Sequence, residues 1–235
     1  MKSTPKFSWI LLLLLLPALL WAQKQERQVS DTTRFKTLIP EEKQGLLKNV
    51  AVIANANYAF RNEFVDGNYT ATKAKMEQFR LEIKGQVHEK VYFRFRDRYT
   101  RAQTSESIDN LSRSVDMAYL RFDLSKKFSI SGGKMCADWG GWEFDWNPID
   151  IYEYSDIIEY ADNFLTGLAF SYQTSRNHQY TIQVLDSRTK TFTELYGNQP
   201  NFTASKAPLA FVANWRGSFL DRKINTIWSY SLFNE

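Results

Sequence analysis

Residues 77–101 read EQFRLEIKGQVHEKVYFRFRDRYTR, and their alternation decides the fold. Phe79, Leu81, Ile83 and Val87 alternate with Arg80, Glu82, Lys84 and Gln86. After His88-Glu89-Lys90 the pattern resumes, with Val91, Phe93, Phe95 and Tyr99 against Tyr92, Arg94, Arg96 and Arg98. A period of two puts each set on its own face of a β-strand, so the stretch predicts a hairpin with one apolar and one cationic face. With the turn centred on Glu89, Arg98 falls opposite Arg80, Arg94 opposite Lys84, and Arg96 opposite Glu82. Like charges directly across a ladder destabilise it, so that face must be well hydrated or meet anions. The hairpin alone fits either a soluble sheet with its charged face in water or the wall of a wet channel. The rest of the chain separates the two.

The N-terminus carries Lys2 and Lys6, an apolar run from Ile10 to Leu20, then Leu20-Trp21-Ala22 before a polar stretch. This is the pattern of a secretory signal. The run is roughly half the length of a membrane-spanning helix, so cleavage after Ala22 is expected and residues 1–22 are removed on export. Residues 23–48 are polar with little periodicity and read as a periplasmic tail. Nothing later approaches the length of a transmembrane helix, which leaves a secreted, a periplasmic or a β-spanning protein. The single Cys136 cannot form an internal disulfide and reads as a small filler near a strand end. A formal charge of +4 is too mild to name a partner, and no nucleic acid is expected. Where the charges sit matters more.

Outward from the hairpin, residues 49–61 form a first strand candidate, and residues 62–73 a loop with Asp66-Gly67-Asn68 as its turn signal. After a polar loop at 102–113, Ala118, Leu120, Phe122 and Leu124 alternate with Tyr119, Arg121 and Asp123. Ser125-Lys126-Lys127 turns into a fifth strand at 128–134, and residues 138–163 interrupt the pattern. Alternation returns at 166–172, 180–184, 209–216 and 224–232, with a longer loop at 186–206. The count is about nine strands of roughly 10 residues, joined by alternately long and short connections. Outer-membrane barrels have short periplasmic turns, longer external loops and strands of about 9–11 residues. Soluble sandwiches more often have shorter strands and lack that asymmetry. The expected fold is therefore all-β, a transmembrane antiparallel β-barrel. Asp97 does not fit, because strict alternation places it on the apolar face with Phe93, Phe95 and Tyr99. It belongs near the rim, beside a bulge, or in a contact between subunits.

The FRLEIKGQ and VYFRFRDRY strands, and above all AYLRFDL-SKK-FSISGGKM followed by DWGGWEFD, resemble the phosphate-selective porin O and P family, in particular its Bacteroidetes-type members. The resemblance runs from about Asn49 to the C-terminus. It implies a sixteen-stranded outer-membrane barrel that embeds in lipid, assembles as a homotrimer and passes small anionic solutes without a cofactor. About nine strands would be an incomplete barrel over residues 49–235. Since bacterial single-chain barrels have an even strand number, a truncated or split reading frame holding the N-terminal half is expected. Its two edge strands would then be exposed.

On this resemblance Arg80, Lys84, Arg94, Arg96, Arg98 and Arg121 line the pore as a basic wall that attracts anions and relays them. Guanidinium suits phosphate because it is a planar, two-pronged donor that stays charged. The alternative is a solvated face with no special selectivity. Asp138, Glu143, Asp145, Asp150, Glu153 and Asp156 lie in a stretch without Lys or Arg between Lys134 and Arg176. Its place after the fifth strand matches the porin loop that folds into the pore, where an acidic constriction facing a basic wall would set a transverse field. The same loop holds Trp139, Trp142, Phe144, Trp146, Tyr152, Tyr154 and Tyr160, so a secreted β-sandwich that binds glycans is the alternative. Catalysis is not expected. His88 and His178 sit at predicted tight turns, far from a Ser or Cys partner. Glu143 and Asp145 could form a glycosidase pair only by coincidence of an acidic loop, and Gly132-Gly133-Lys134 lacks P-loop spacing.

Overall fold

In the computed structural model the described residues are 49–141, 143, 146, 150–151, 153–156, 158 and 161–234. The expected signal peptide, the polar tail and Asp145 lie outside them. Nine strands run in chain order: β1 (Val50–Val65), β2 (Asn68–His88), β3 (Val91–Arg98), β4 (Val115–Asp123), β5 (Phe128–Cys136), β6 (Phe164–Ser175), β7 (His178–Asp186), β8 (Leu209–Phe219) and β9 (Ile224–Asn234). They form one sheet in the order β1 to β9, each antiparallel to the next. The sheet is not closed, and a five-residue helix, α1 (Phe192–Tyr196), lies in the connection between β7 and β8. A single sheet has no facing layer, so the sandwich alternative fails. No helix among the described residues is long and apolar enough to cross a membrane.

The register of the founding hairpin follows from its turn. Arg80 pairs with Arg98, Glu82 with Arg96 and Lys84 with Arg94, as a turn centred on Glu89 requires. A correction applies one hairpin earlier. Residues 62–73 are not a loop, because β1 and β2 continue as paired strands to a two-residue turn at Asp66-Gly67. Both turn residues have positive φ, 50° and 81°, the geometry of the tight turns that match strand twist. The Asp-Gly signal therefore marked a hairpin tip rather than a loop.

The sheet wears its polarity inside out compared with a soluble protein. Leu120, Phe122, Leu168, Tyr172, Ile182, Phe211, Tyr230 and Leu232 share one face by register and are each between 43% and 68% exposed. Arg80, Glu82, Arg96, Thr181, Gln183 and Asn214 share the other face and are each 7% exposed or less. Soluble domains bury the first class and expose the second. A sheet with lipid on its outer side and a polar interior does the reverse. Phe93 and Phe95 lie half-buried on the same outer face as Leu120 and Ala118.

Asp97 sits one residue from the end of β3, beside a bulge in its pairing with β4. It faces Leu81 and Val115 across the ladder. That bulge changes the inner face. Met117 lies opposite Arg96 while Val115 lies opposite Asp97, which leaves Asp116 as the extra residue. An extra residue re-aims a side chain, and Asp116 turns inward to the arginines. Gly133 makes a second local adjustment with φ 126°, where a Cβ would collide with the carbonyl of Ala118 on the neighbouring strand. Only glycine permits that close approach between β4 and β5.

Candidate functional site

On the inner face the cations predicted from sequence form a column down β2–β4. At the long-loop end Arg80 lies beside Arg98; below come Glu82 with Arg96, then Lys84 with Arg94, and Arg121 opposite Tyr92 toward the short-turn end. Carboxylates of the chain itself answer most of this ladder. Glu82 binds Lys84 at 3.2 Å and Arg94 at 3.1 Å. Asp123 binds Arg121 at 2.9 Å, and that guanidinium also lies over the Tyr92 ring. Asp116, fully buried, receives Arg96 at 3.2 Å and Arg98 at 3.1 Å, with Arg101 at 3.8 Å. A buried carboxylate needs such partners, since desolvation costs it several kcal/mol if it is left unpaired.

Three carboxylates thus serve six cations of this wall and Arg80 is a seventh, so among the described residues the wall keeps a positive excess. The excess concentrates at Arg80. It is 2% exposed and has no carboxylate within ion-pair distance among the described residues. Its contacts are the Tyr154 hydroxyl at 3.4 Å and the ring of the same tyrosine, 5.8 Å from the guanidinium carbon. Tyr154 belongs to the long segment after β5, so that segment reaches the basic wall. A small cavity of about 30 Å³ lies there, lined by Arg80, Arg96, Arg98 and Arg101 on one side and Glu143, Trp146 and Tyr154 on the other.

The neck of the same segment is clamped to the other half of the sheet. The Asp138 amide donates to Gln183 Oε1 at 2.8 Å, and Gln183 Nε2 donates to the Cys136 carbonyl at 3.1 Å. The Asp138 carbonyl accepts from Asn214 Nδ2 at 3.1 Å and from Ser229 Oγ at 2.6 Å, and its carboxylate meets Arg216 at 3.3 Å. Beneath this neck Met135, Ala137, Leu165, Ala169 and Leu185 form a small dry core with Tyr119 and Trp139 against it. Trp139 Nε1 donates to Asn163 Oδ1, tying the two ends of the segment together.

Of the six predicted loop acids, Glu143 lines the cavity by the arginines and accepts from the Ser155 amide and hydroxyl. Asp138 serves the neck. Asp150, Glu153 and Asp156 are exposed, and Asp145 lies outside the described residues. Three charged groups escaped the sequence reading, Arg101 among them because it lies past the end of β3. Asp116 was hidden because strict alternation put it on the outer face with Ala118. Lys134 was hidden because its charge is taken up by Asp109 at 2.7 Å, both side chains being 3% exposed or less. No group of three or more His, Cys, Asp or Glu that could hold a metal occurs among the described residues.

An antiparallel sheet with a lipid-type outer face, a charged inner face and a loop laid across that inner face is the wall of an outer-membrane β-barrel channel. The family model for phosphate-selective porin O and P matches residues 50–235, and the chain belongs to that family. It is a family of channels rather than of enzymes, and membership makes this chain an outer-membrane porin. A search of curated proteins finds no match.

Proposed function

We propose that the chain forms the anion-attracting part of a pore for passive diffusion of small hydrophilic solutes, phosphate among them. Small anions enter at the long-loop end and meet the Arg80 cluster, then pass along Lys84 and Arg94 toward Arg121. The segment carrying Glu143 and Tyr154 narrows the passage, so solutes cross between a basic wall and a loop bearing carboxylates. The working protein is a homotrimer, exported through a signal peptide cleaved after Ala22, and it catalyses no reaction.

The observation that carries this reading is the gathering of Arg96, Arg98 and Arg101 on Asp116, with Arg80 beside them and the loop carboxylate Glu143 across the small cavity. Buried guanidinium groups in excess over their counter-charges attract a mobile anion, and the narrow space strengthens that attraction. The test is planar-bilayer conductance of protein recovered from the outer-membrane fraction, with a salt gradient across the bilayer. The expected reversal potential has the sign of anion preference, and phosphate added to chloride lowers the current by occupying the site. A cation-signed potential would sink the anion claim.

A further inference from the structure

Four short connections close one end of the sheet: Glu89-Lys90, residues 124–127, Arg176-Asn177 and residues 220–223. Together they carry Lys90, Lys126, Lys127, Arg176, Arg222 and Lys223 against Glu89 and Asp221, and all eight side chains are exposed. None of the six cations has an ion-pair partner among the described residues. The opposite end is built differently. There Arg61, Lys73, Arg113 and Lys134 are each matched with a carboxylate of the chain, and the cations without an ion pair among the described residues, Lys190 and Lys206, are spread over one long connection rather than clustered at the strand ends.

An aromatic row fixes where the bilayer boundary falls beside these turns. Phe128 pairs with Tyr172, Tyr172 with Tyr180, Tyr180 with Trp215 and Trp215 with Trp228, giving one row across five strands of the outer face. Tyr180 and Trp215 stack with centroids 6.3 Å apart, and Tyr172, Tyr180 and Trp228 are well exposed. Rows of Tyr and Trp on a lipid-facing surface mark the level of the headgroups. Toward the turns, Lys127 lies one residue from this row, Arg176 four and Lys223 five. At about 3.3 Å per residue on tilted strands, the cations stand at or just beyond the headgroup phosphates.

We propose that the short-turn rim binds anionic phospholipid headgroups of the leaflet it faces. The inference rests on the outer face meeting lipid, as set out above, and adds a partner to the rim rather than to the pore. The chemistry is that of a juxtamembrane basic cluster, in which unpaired cations next to the bilayer surface gain from each anionic headgroup they meet. The aromatic row holds them at that depth.

Native mass spectrometry of the full chain released from mixed micelles tests this, with dioleoyl phosphatidylglycerol and dioleoyl phosphatidylcholine as the two probes. The chain is expected to retain phosphatidylglycerol over phosphatidylcholine by about tenfold or more, and to lose the preference in molar salt, where screening acts within about 3 Å. Joint replacement Lys126→Gln, Lys127→Gln, Arg176→Gln and Lys223→Gln should abolish the preference. The charge-keeping set Lys126→Arg, Lys127→Arg, Arg176→Lys and Lys223→Arg should retain it, as should neutralising Lys73 and Arg113 at the other end. Inorganic phosphate should not displace the lipid, which separates a membrane ligand from a free anion. Equal retention of both lipids by the unaltered chain overturns the rim proposal alone. A chain that takes up neither lipid and stays folded in buffer overturns the membrane-spanning reading with it.

Discussion

The two halves of the inner face are built from the same alternation yet do opposite work. Strands β2–β4 present Arg80, Glu82, Lys84, Arg94, Arg96, Arg98 and Arg121. Strands β7–β9 present Thr181, Gln183, Asn214, Ser229 and Ser231, with Arg216 as the one cation in these rows. The charged half gives the inner face net positive charge among the described residues. The neutral half offers amides and hydroxyls that can satisfy a backbone, and it grips the loop neck through Gln183, Asn214 and Ser229. The difference teaches that a pore wall separates attraction from positioning. Charges left uncompensated must face mobile ions, whereas a loop laid inside a barrel needs neutral hydrogen-bond partners for the carbonyls and amides it buries.

The comparison breaks most severely at Asp116. Replacing it by Ala leaves Arg96, Arg98 and Arg101 facing one another without their shared counter-ion. The expected cost is about 3–5 kcal/mol, read by urea unfolding from micelles, together with stronger anion preference in the folded remainder. Unchanged stability would show that water, not Asp116, holds those arginines apart.

On the neutral half, Asn214→Leu keeps the side-chain volume but removes the donor to the Asp138 carbonyl. A buried acceptor deprived of one partner costs about 1–3 kcal/mol. The loop should loosen, so single-channel current is expected to rise and become noisy while its anion sign stays. A change of sign instead would merge the two roles assigned to the two halves.

Arg80→Gln is the sharper probe of the charged half. Among the described residues this side chain has no ion pair to lose, so its removal should leave stability within about 1 kcal/mol and cut the anion preference several-fold in the bilayer measurement. Arg121→Gln, nearer the short turns and paired with Asp123, should have the weaker effect. The reverse ranking would move the selective point toward the turns.

The smallest effect concerns the long loops. Glu194 takes hydrogen bonds from Ser107 Oγ at 2.6 Å and from the Thr191 amide at 2.7 Å, and these hold its carboxyl down to about 2. A depressed folded pKa gives a contribution fully present above the ordinary carboxylate range and lost as pH falls through about 2. The tie between the loop at 99–114 and α1 should therefore persist at pH 5 and weaken only in strong acid. Amide exchange at Thr191 measures this, and Glu194→Gln should remove the dependence. The pore properties of both halves should be indifferent to it.

Much of this was legible in the chain. The pairing Arg80–Arg98 followed from the centre of one turn, and the outer face from Leu120, Phe122 and their successors at every second position. The loop neck and its grip were not, because Gln183, Asn214 and Ser229 lie on three strands that say nothing of a partner at Asp138. The helix α1 carried its own signal, the Thr191…Glu194 capping box, and went unread inside a long polar loop. Asp66-Gly67 was seen as a turn, but the flanking strands were too polar to be taken as paired.

Alternation by itself settled which residues share the outer face and which the inner face along regular strands, because a pleat admits only two sides. Only the folded sheet decided where that rule lapses. The bulge that turns Asp116 inward and the glycine at 133 that lets β4 and β5 approach are properties of two strands together. The same holds for which cations remain in excess: a charge is compensated or not by a neighbour brought from elsewhere in the chain, and one-dimensional spacing carries no record of that neighbour.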